Sequence, residues 1–192
     1  MRHIKLFLTA ILLIGPAIHP ATAETSNAPV QGPEAAPTFE LDKAGKRARI
    51  NFNLDPASVS LPGMKLSGFA NRKLMIFYFS AVCPHCQHAI PHVQKLADEI
   101  AAKGFTTIAI AVKFNSEDDI RGFMKDYKVH LPVFQDTDKT FGENYGTGSI
   151  PLLFLVNEKG EYIRYKSFNA EQTPAEIKAE AASIAVAAKG KP

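Results

Sequence analysis

The chain has 192 residues, two cysteines, no tryptophan, and 22 basic against 19 acidic side chains, a net charge of +3 with histidine neutral. The lysines and arginines are scattered among acids, which excludes the clustered basic footprint of a nucleic-acid-binding domain. Two cysteines in a chain long enough for one full-sized core also exclude a miniprotein stapled by disulfides.

Residues 1–23 carry Arg2 and Lys5, an apolar run from Leu6 to Ile18, and the small-residue stretch Ala21-Thr22-Ala23. This predicts a secretory signal peptide cut after Ala23. The apolar run is shorter than the about 20 residues a spanning helix needs. No stable membrane insertion is therefore expected once the signal is removed, and the protein is expected in the periplasm or secreted. Without Arg2 and Lys5 the charge balance falls to +1. Residues 24–37, ETSNAPVQGPEAAP, have little to bury and read as a flexible leader. A single domain is expected over residues 38–190.

In that domain, Phe39 and Leu41 alternate, as do Ala48, Ile50 and Phe52, around a Lys-Ala-Gly-Lys turn. This predicts a β-hairpin. Residues 53–72 give no clear pattern. KLMIFYF, residues 73–79, is a short continuous apolar run, the signature of a buried central strand. Residues 84–102 read as a helix with Ile90, Val93, Ala97 and Ile100 on one face. FTTIAIAV, residues 105–112, reads as a second buried strand. Ser116 is the expected cap of a helix with Asp119 at its third position and Ile120, Phe123, Met124 and Tyr127 as its apolar stripe. LPVFQD predicts a short strand and residues 138–145 a short helix. PLLFLVN and YIRYKSF flank Glu-Lys-Gly and should pair as an antiparallel hairpin. A last helix is expected with Thr173 as cap, Pro174 first inside and Glu176 third. Alternating strands and helices with a late hairpin imply an α/β fold, a mixed central sheet with helices on both faces.

Both cysteines lie in FSAVCPHCQHAIPH, residues 79–92. A structural bridge across so small a loop would restrict the unfolded chain only weakly. A redox pair fits better. Cys83 falls where strand gives way to helix, and unpaired N–H groups with a partial positive charge favour a thiolate there. Pro84 suits the first helical position. His85, when protonated, adds positive charge beside the sulfur. Cys86 lies one turn on, able to attack a mixed disulfide formed at Cys83. Far along the chain, TGSIPLLFL sets Ile150 and Pro151 at a strand start. A cis bond there would expose the Ile150 backbone for strand-like pairing with a substrate peptide.

With these motifs the chain resembles the thioredoxin superfamily, and within it the exported TlpA/ResA-like thiol–disulfide oxidoreductases. The resemblance covers roughly residues 37–188 and rests on FELDKAGKRARI, IFYFSAVCPHCQHAIP with its internal Pro91, and GSIPLLFLVNEKGEYI. It implies a thioredoxin-like fold with an N-terminal β-hairpin and a βα insertion. It further implies Cys83 as nucleophile, Cys86 as resolving thiol, and a cis Pro151 with Ile150 beside them. The partners implied are protein thiol or disulfide substrates and a redox partner protein, membrane-bound or soluble, and no cofactor is needed. Three positions depart from the pattern. Val82 stands where many relatives have tryptophan, Phe77 where thioredoxins bury an aspartate, and Ala89 where ResA-like proteins have a glutamate. Without those carboxylates, Cys86 needs another route to lose its proton, and Lys113 is one candidate. The Pro-His dipeptide is that of DsbA-like oxidases while the scaffold resembles reductases of cytochrome c maturation, so the direction of electron flow is open.

Three rival readings stand beside this one. His85, His88 and His92 share a helix face and could hold copper, with a cysteine of the same helix, in a periplasmic metal-binding protein, although the CxxxC spacing of Sco-like chaperones is absent. A peroxidase motif would place Ser80 correctly but needs proline where Ile76 stands. A non-catalytic module could hold unfolded clients near Ile150, but it would have no need of two cysteines.

Overall fold

The computed structural model describes residues 38–189; the expected signal peptide and leader lie outside them. The elements in chain order are β1 (Ala57–Ser58), a 3₁₀ turn (Leu66–Phe69), β2 (Lys73–Phe79), α1 (Pro84–Ala101), β3 (Phe105–Ala111), α2 (Glu117–Asp126), β4 (Val133–Gln135), α3 (Thr140–Tyr145), β5 (Leu152–Val156), β6 (Tyr162–Tyr165) and α4 (Gln172–Lys189). The six strands form one sheet in the order β1-β4-β3-β2-β5-β6. β2, β3 and β4 run parallel, and β1, β5 and β6 pair antiparallel with their neighbours. The sheet is mixed, as the sequence pattern implied.

β2 is apolar throughout because both of its faces are covered. Met75, Phe77 and Phe79 point into one core, shared with Ile90, Val93 and Ile100 of α1, Ile120 and Phe123 of α2, and Ile177 and Ala181 of α4. Leu74, Ile76 and Tyr78 point into the other, with Leu66 and Phe69 of the 3₁₀ turn and Phe141 and Tyr145 of α3. Phe77 and Phe79 stack at 5.2 Å between ring centroids. Each fully buried phenylalanine contributes about 1.5–3 kcal/mol of transfer free energy. This strand is therefore the anchor of the fold and of the loop that leaves its end.

The α2 cap forms as predicted: the Asp119 N–H donates to Ser116 Oγ at 3.0 Å and the Ser116 N–H to the Asp119 carboxylate at 3.0 Å. β4 and α3 supply the βα unit between α2 and the late hairpin. Pro91 lies inside α1, so the Gln87 carbonyl has no intrahelical donor there.

Two expectations need correction, and one unread stretch gains structure. The hairpin at residues 39–52 is present only as a turn closed by single bridges. Leu41 bridges Arg47, while Phe39 bridges to Ile163 in β6 and Arg49 to Glu161 just ahead of it. Leu41 is 62% exposed, so its place in the alternation does not mark a buried face. The last helix begins earlier than Thr173 would set it. Asn169 Oδ1 accepts the Glu171 and Gln172 N–H groups, and the Thr173 hydroxyl instead accepts the Asn169 N–H. Finally, the unread stretch 53–72 contributes β1 and the 3₁₀ turn, whose Leu66 and Phe69 seal the second core.

Candidate active site

Cys83 is the cap residue of α1, with extended backbone at φ −87° and ψ 118° and Pro84 following in the first turn. Its carbonyl accepts the Gln87 N–H at 3.0 Å, and its own N–H donates to the Ser80 carbonyl at 3.2 Å. Both cysteines are free thiols; Cys83 is partly exposed and Cys86 buried. Burial pushes the Cys86 thiol up to about 12 from an ordinary 9.0. The Ser80 backbone offsets this in part, and hydrogen bonding and charge from Cys83 add to it. The two thiols thus lie in different surroundings, one partly at the surface and one beneath it. Pro84 and His85 are both exposed beside Cys83.

The Ile150–Pro151 peptide bond is cis. β5 pairs antiparallel with β2, with Leu152 opposite Tyr78. Continuing that register sets Pro151 and Ile150 beside Phe79 and Ser80, at the root of the cysteine loop. Ile150 is half-buried and packs against both cores, while Cys83 packs against the first. The topology therefore brings Cys83, Pro84, His85, Cys86, Ile150 and Pro151 to one end of the central strands. Val82, 60% exposed, and Phe114, 75% exposed, leave apolar surface on the neighbouring loops.

Phe77 and Ala89 are both fully buried, so apolar packing occupies the two places where relatives carry an acid. Lys113 lines a cavity of about 310 Å³ with Tyr78, Phe114, Asp136, Gly142 and Ile150. Its charge helps hold the Asp138 carboxyl below its usual range, behind the larger effect of the Thr140 hydrogen bonds.

The sequence reading missed two polar groups. Asn115, buried, accepts the Ala81 N–H at 3.0 Å and donates to Ser80 Oγ at 3.0 Å. Ahead of the α2 cap it looks like any loop asparagine, and only the fold turns it under the cysteine loop. Asp136, 1% exposed, accepts the Phe141 and Gly142 N–H groups at 3.0 and 2.8 Å and the Tyr78 hydroxyl at 3.2 Å. Its signal was faint: an acid ending a short apolar strand, four residues before a helix.

The copper alternative finds no support. Among the described residues no three His, Cys, Asp or Glu side chains group to hold a metal ion. His85 and His88 are exposed, and His92 lies 5.6 Å from His88 and 5.9 Å from Phe168 between ring centroids.

The family model described as Redoxin matches residues 34–183. The chain belongs to the Redoxin family. This Redoxin is similar to the thiol-disulfide oxidoreductase ResA of Halalkalibacterium halodurans, 26% identical over 124 residues that span 65% of this chain and 68% of that one. It is also similar to ResA of Bacillus subtilis, 24% identical over 160 residues, 83% of this chain and 79% of that one. Among solved structures, a secreted thiol-disulfide isomerase from Corynebacterium glutamicum superimposes with a TM-score of 0.62 at 19% identity, covering 83% of this chain and 95% of that one. That likeness bears on the fold, which is thioredoxin-like.

Proposed function

We infer that this Redoxin is a protein thiol–disulfide oxidoreductase in which Cys83 attacks and Cys86 resolves. The observation that carries the reading is the asymmetry of the pair: a partly exposed thiol at a helix start, and a buried thiol one turn on whose deprotonation is opposed by burial. The Cys83 thiolate attacks a client disulfide, forming a mixed disulfide and releasing one client thiolate. The Cys86 thiolate then attacks the Cys83 sulfur, closing the Cys83–Cys86 bond and releasing the second client thiol. The reverse sequence donates a disulfide. The names of the ResA relatives support the same chemistry.

Pro84 sets the helix start, and His85 lies exposed beside the attacking sulfur. The Ile150 backbone, beside Pro151, offers main-chain pairing to a client strand. The Pro-His dipeptide at the helix start is the feature that leans toward an oxidising or isomerising role over reduction for cytochrome c maturation, because any positive influence on a thiolate there makes the disulfide more oxidising. The signal-like residues 1–23 support action in the periplasm or outside the cell, with a redox partner, membrane-bound or soluble, resetting the pair.

A Cys86→Ser variant tests the reading. It should accumulate disulfide-linked client proteins through Cys83, visible as high-mass bands that vanish on reduction. A wild-type potential near about −120 mV supports disulfide donation, and one near about −270 mV supports a reductase. Absence of both trapped species and a reversible couple would refute an exchange role.

A further inference from the structure

The sheet has a different neighbour of Ile150 on each face. Cys83 and Cys86 pack with the first core, that of α1. Tyr78 and Val112 belong to the second, that of α3. Ile150 packs against both. On the second face a cavity of about 310 Å³ adjoins Ile150, walled by Tyr78, Val112 and Phe114. Phe114 is 75% exposed, a large apolar ring that the chain's own packing leaves uncovered.

The lining fits an apolar occupant. Lys113 and Lys139 are offset by Asp136 and Glu143, so the cavity carries no excess charge. The Asp136 carboxylate is already taken by the Phe141 and Gly142 N–H groups and the Tyr78 hydroxyl. Among the described residues, the buried side-chain atoms without a partner belong to Thr107 and Tyr165, and neither lines the cavity. No such atom there asks for a polar ligand. An apolar cavity of roughly 150 Å³ already accepts benzene, so this one has room for a leucine or phenylalanine side chain.

Side chains of an extended strand alternate between its two faces. A client strand paired with the Ile150 backbone, its cysteine turned toward Cys83, turns the residues on either side of that cysteine to the other face, where the cavity lies. Resting on the exchange reading above, we propose that this cavity is a specificity pocket for a bulky apolar side chain next in sequence to the client's reacting cysteine. Entry of that side chain covers Phe114 and holds the client strand on Ile150 while Cys83 attacks.

The test uses the reduced full chain and end-blocked pentapeptides with a central cysteine, each carried as its mixed disulfide with thionitrobenzoate. Leucine, serine or aspartate flanks the cysteine on both sides. The Cys83 thiolate attacks the peptide sulfur, the peptide–thionitrobenzoate bond breaks, and thionitrobenzoate leaves with the bonding electrons. The Cys86 thiolate then attacks the Cys83 sulfur, and the peptide leaves as its thiolate. Stopped flow reads the second-order rate constant of thionitrobenzoate release. The leucine peptide should react about tenfold faster than the serine peptide, a factor equal to about 1.4 kcal/mol and close to the lower end of what a buried leucine contributes. Phe114 and Thr147 are exposed residues of the lining. Phe114→Ser removes a wall, and Thr147→Glu adds a charge that an entering leucine would desolvate. Each should cut the preference to about threefold, half of that free energy, and leave the serine peptide's rate unchanged. A wild type without the leucine preference, or folded variants that both keep it in full, overturns the proposal. Fastest release from the aspartate peptide would assign the mouth to Lys113 and Lys139 and overturn it as well. A wild type that releases no thionitrobenzoate from any of the peptides overturns the exchange reading itself.

Discussion

Asp136 offers the sharpest test of the packing that supports the site. It is buried, and its two oxygens serve three donors: the Phe141 N–H, the Gly142 N–H and the Tyr78 hydroxyl. Asp136→Ala leaves all three without that partner. Gly142 lines the adjoining cavity, where water can reach its N–H. Tyr78 lines the same cavity, so its hydroxyl can also turn to water, whereas the Phe141 N–H sits on a fully buried residue. One orphaned buried donor costs about 1–3 kcal/mol, so the change should destabilise by about 2 kcal/mol. For a domain of this size that lowers Tm by about 4–8 °C. Asp136→Asn keeps one acceptor oxygen, and the Tyr78 hydroxyl can rotate to accept from the new amide, so about half the loss is expected. The chain has no tryptophan, so urea unfolding is best followed by far-UV circular dichroism. An Asp136→Ala protein within about 0.5 kcal/mol of wild type, at unchanged m value, would refute this hydrogen-bond accounting.

Two further predictions concern pH. Because burial pushes the Cys86 thiol up to about 12, the resolving step should quicken about tenfold per pH unit from pH 6 to 9; a plateau near pH 8 in single-turnover kinetics would contradict it. Glu161 is held below its ordinary 4.5 by the Asn157 side chain first and by Arg47 after it. A depressed carboxylate stabilises the fold above its unfolded value, and that contribution is lost as pH falls through the folded one. Glu161→Gln should therefore cost about 1–2 kcal/mol at pH 7. The deficit should shrink below about pH 4.5 in urea melts at stepped pH; a deficit that persists at pH 3 would show that packing, not charge, accounts for it.

What could be read from the sequence was what rests on local signals. The buried strand 73–79, the Ser116 cap and the late hairpin each carry their own periodicity or turn chemistry, and each forms where expected. The cysteine pair announced itself because CxxC at a strand-to-helix junction is a compact motif. The groups that support it did not. Asn115 and Asp136 acquire their roles by contact with Ser80, 35 residues away, and Tyr78, 58 residues away. No local pattern encodes such a pairing. The Asn169 cap escaped because the Thr-Pro-Ala-Glu signal four residues later is a good local start. The chain uses Thr173 instead to secure the turn ahead of it, and the alternation around Leu41 was likewise overruled when each arm paired with β6.

The flanks of the sheet carry a consequence for a thiol–disulfide oxidoreductase, whose substrates are other proteins. β1 lies against β4 through only two residues, and the segment around Phe39 and Arg49 bridges along β6. The short β1 and the Phe39–Arg49 segment thus occupy part of the outer edges of β4 and β6. Clients still lacking their disulfides present many extended segments hungry for backbone partners, and a bare strand would seed co-aggregation. Flanks occupied in this way make this Redoxin a poorer template for such growth.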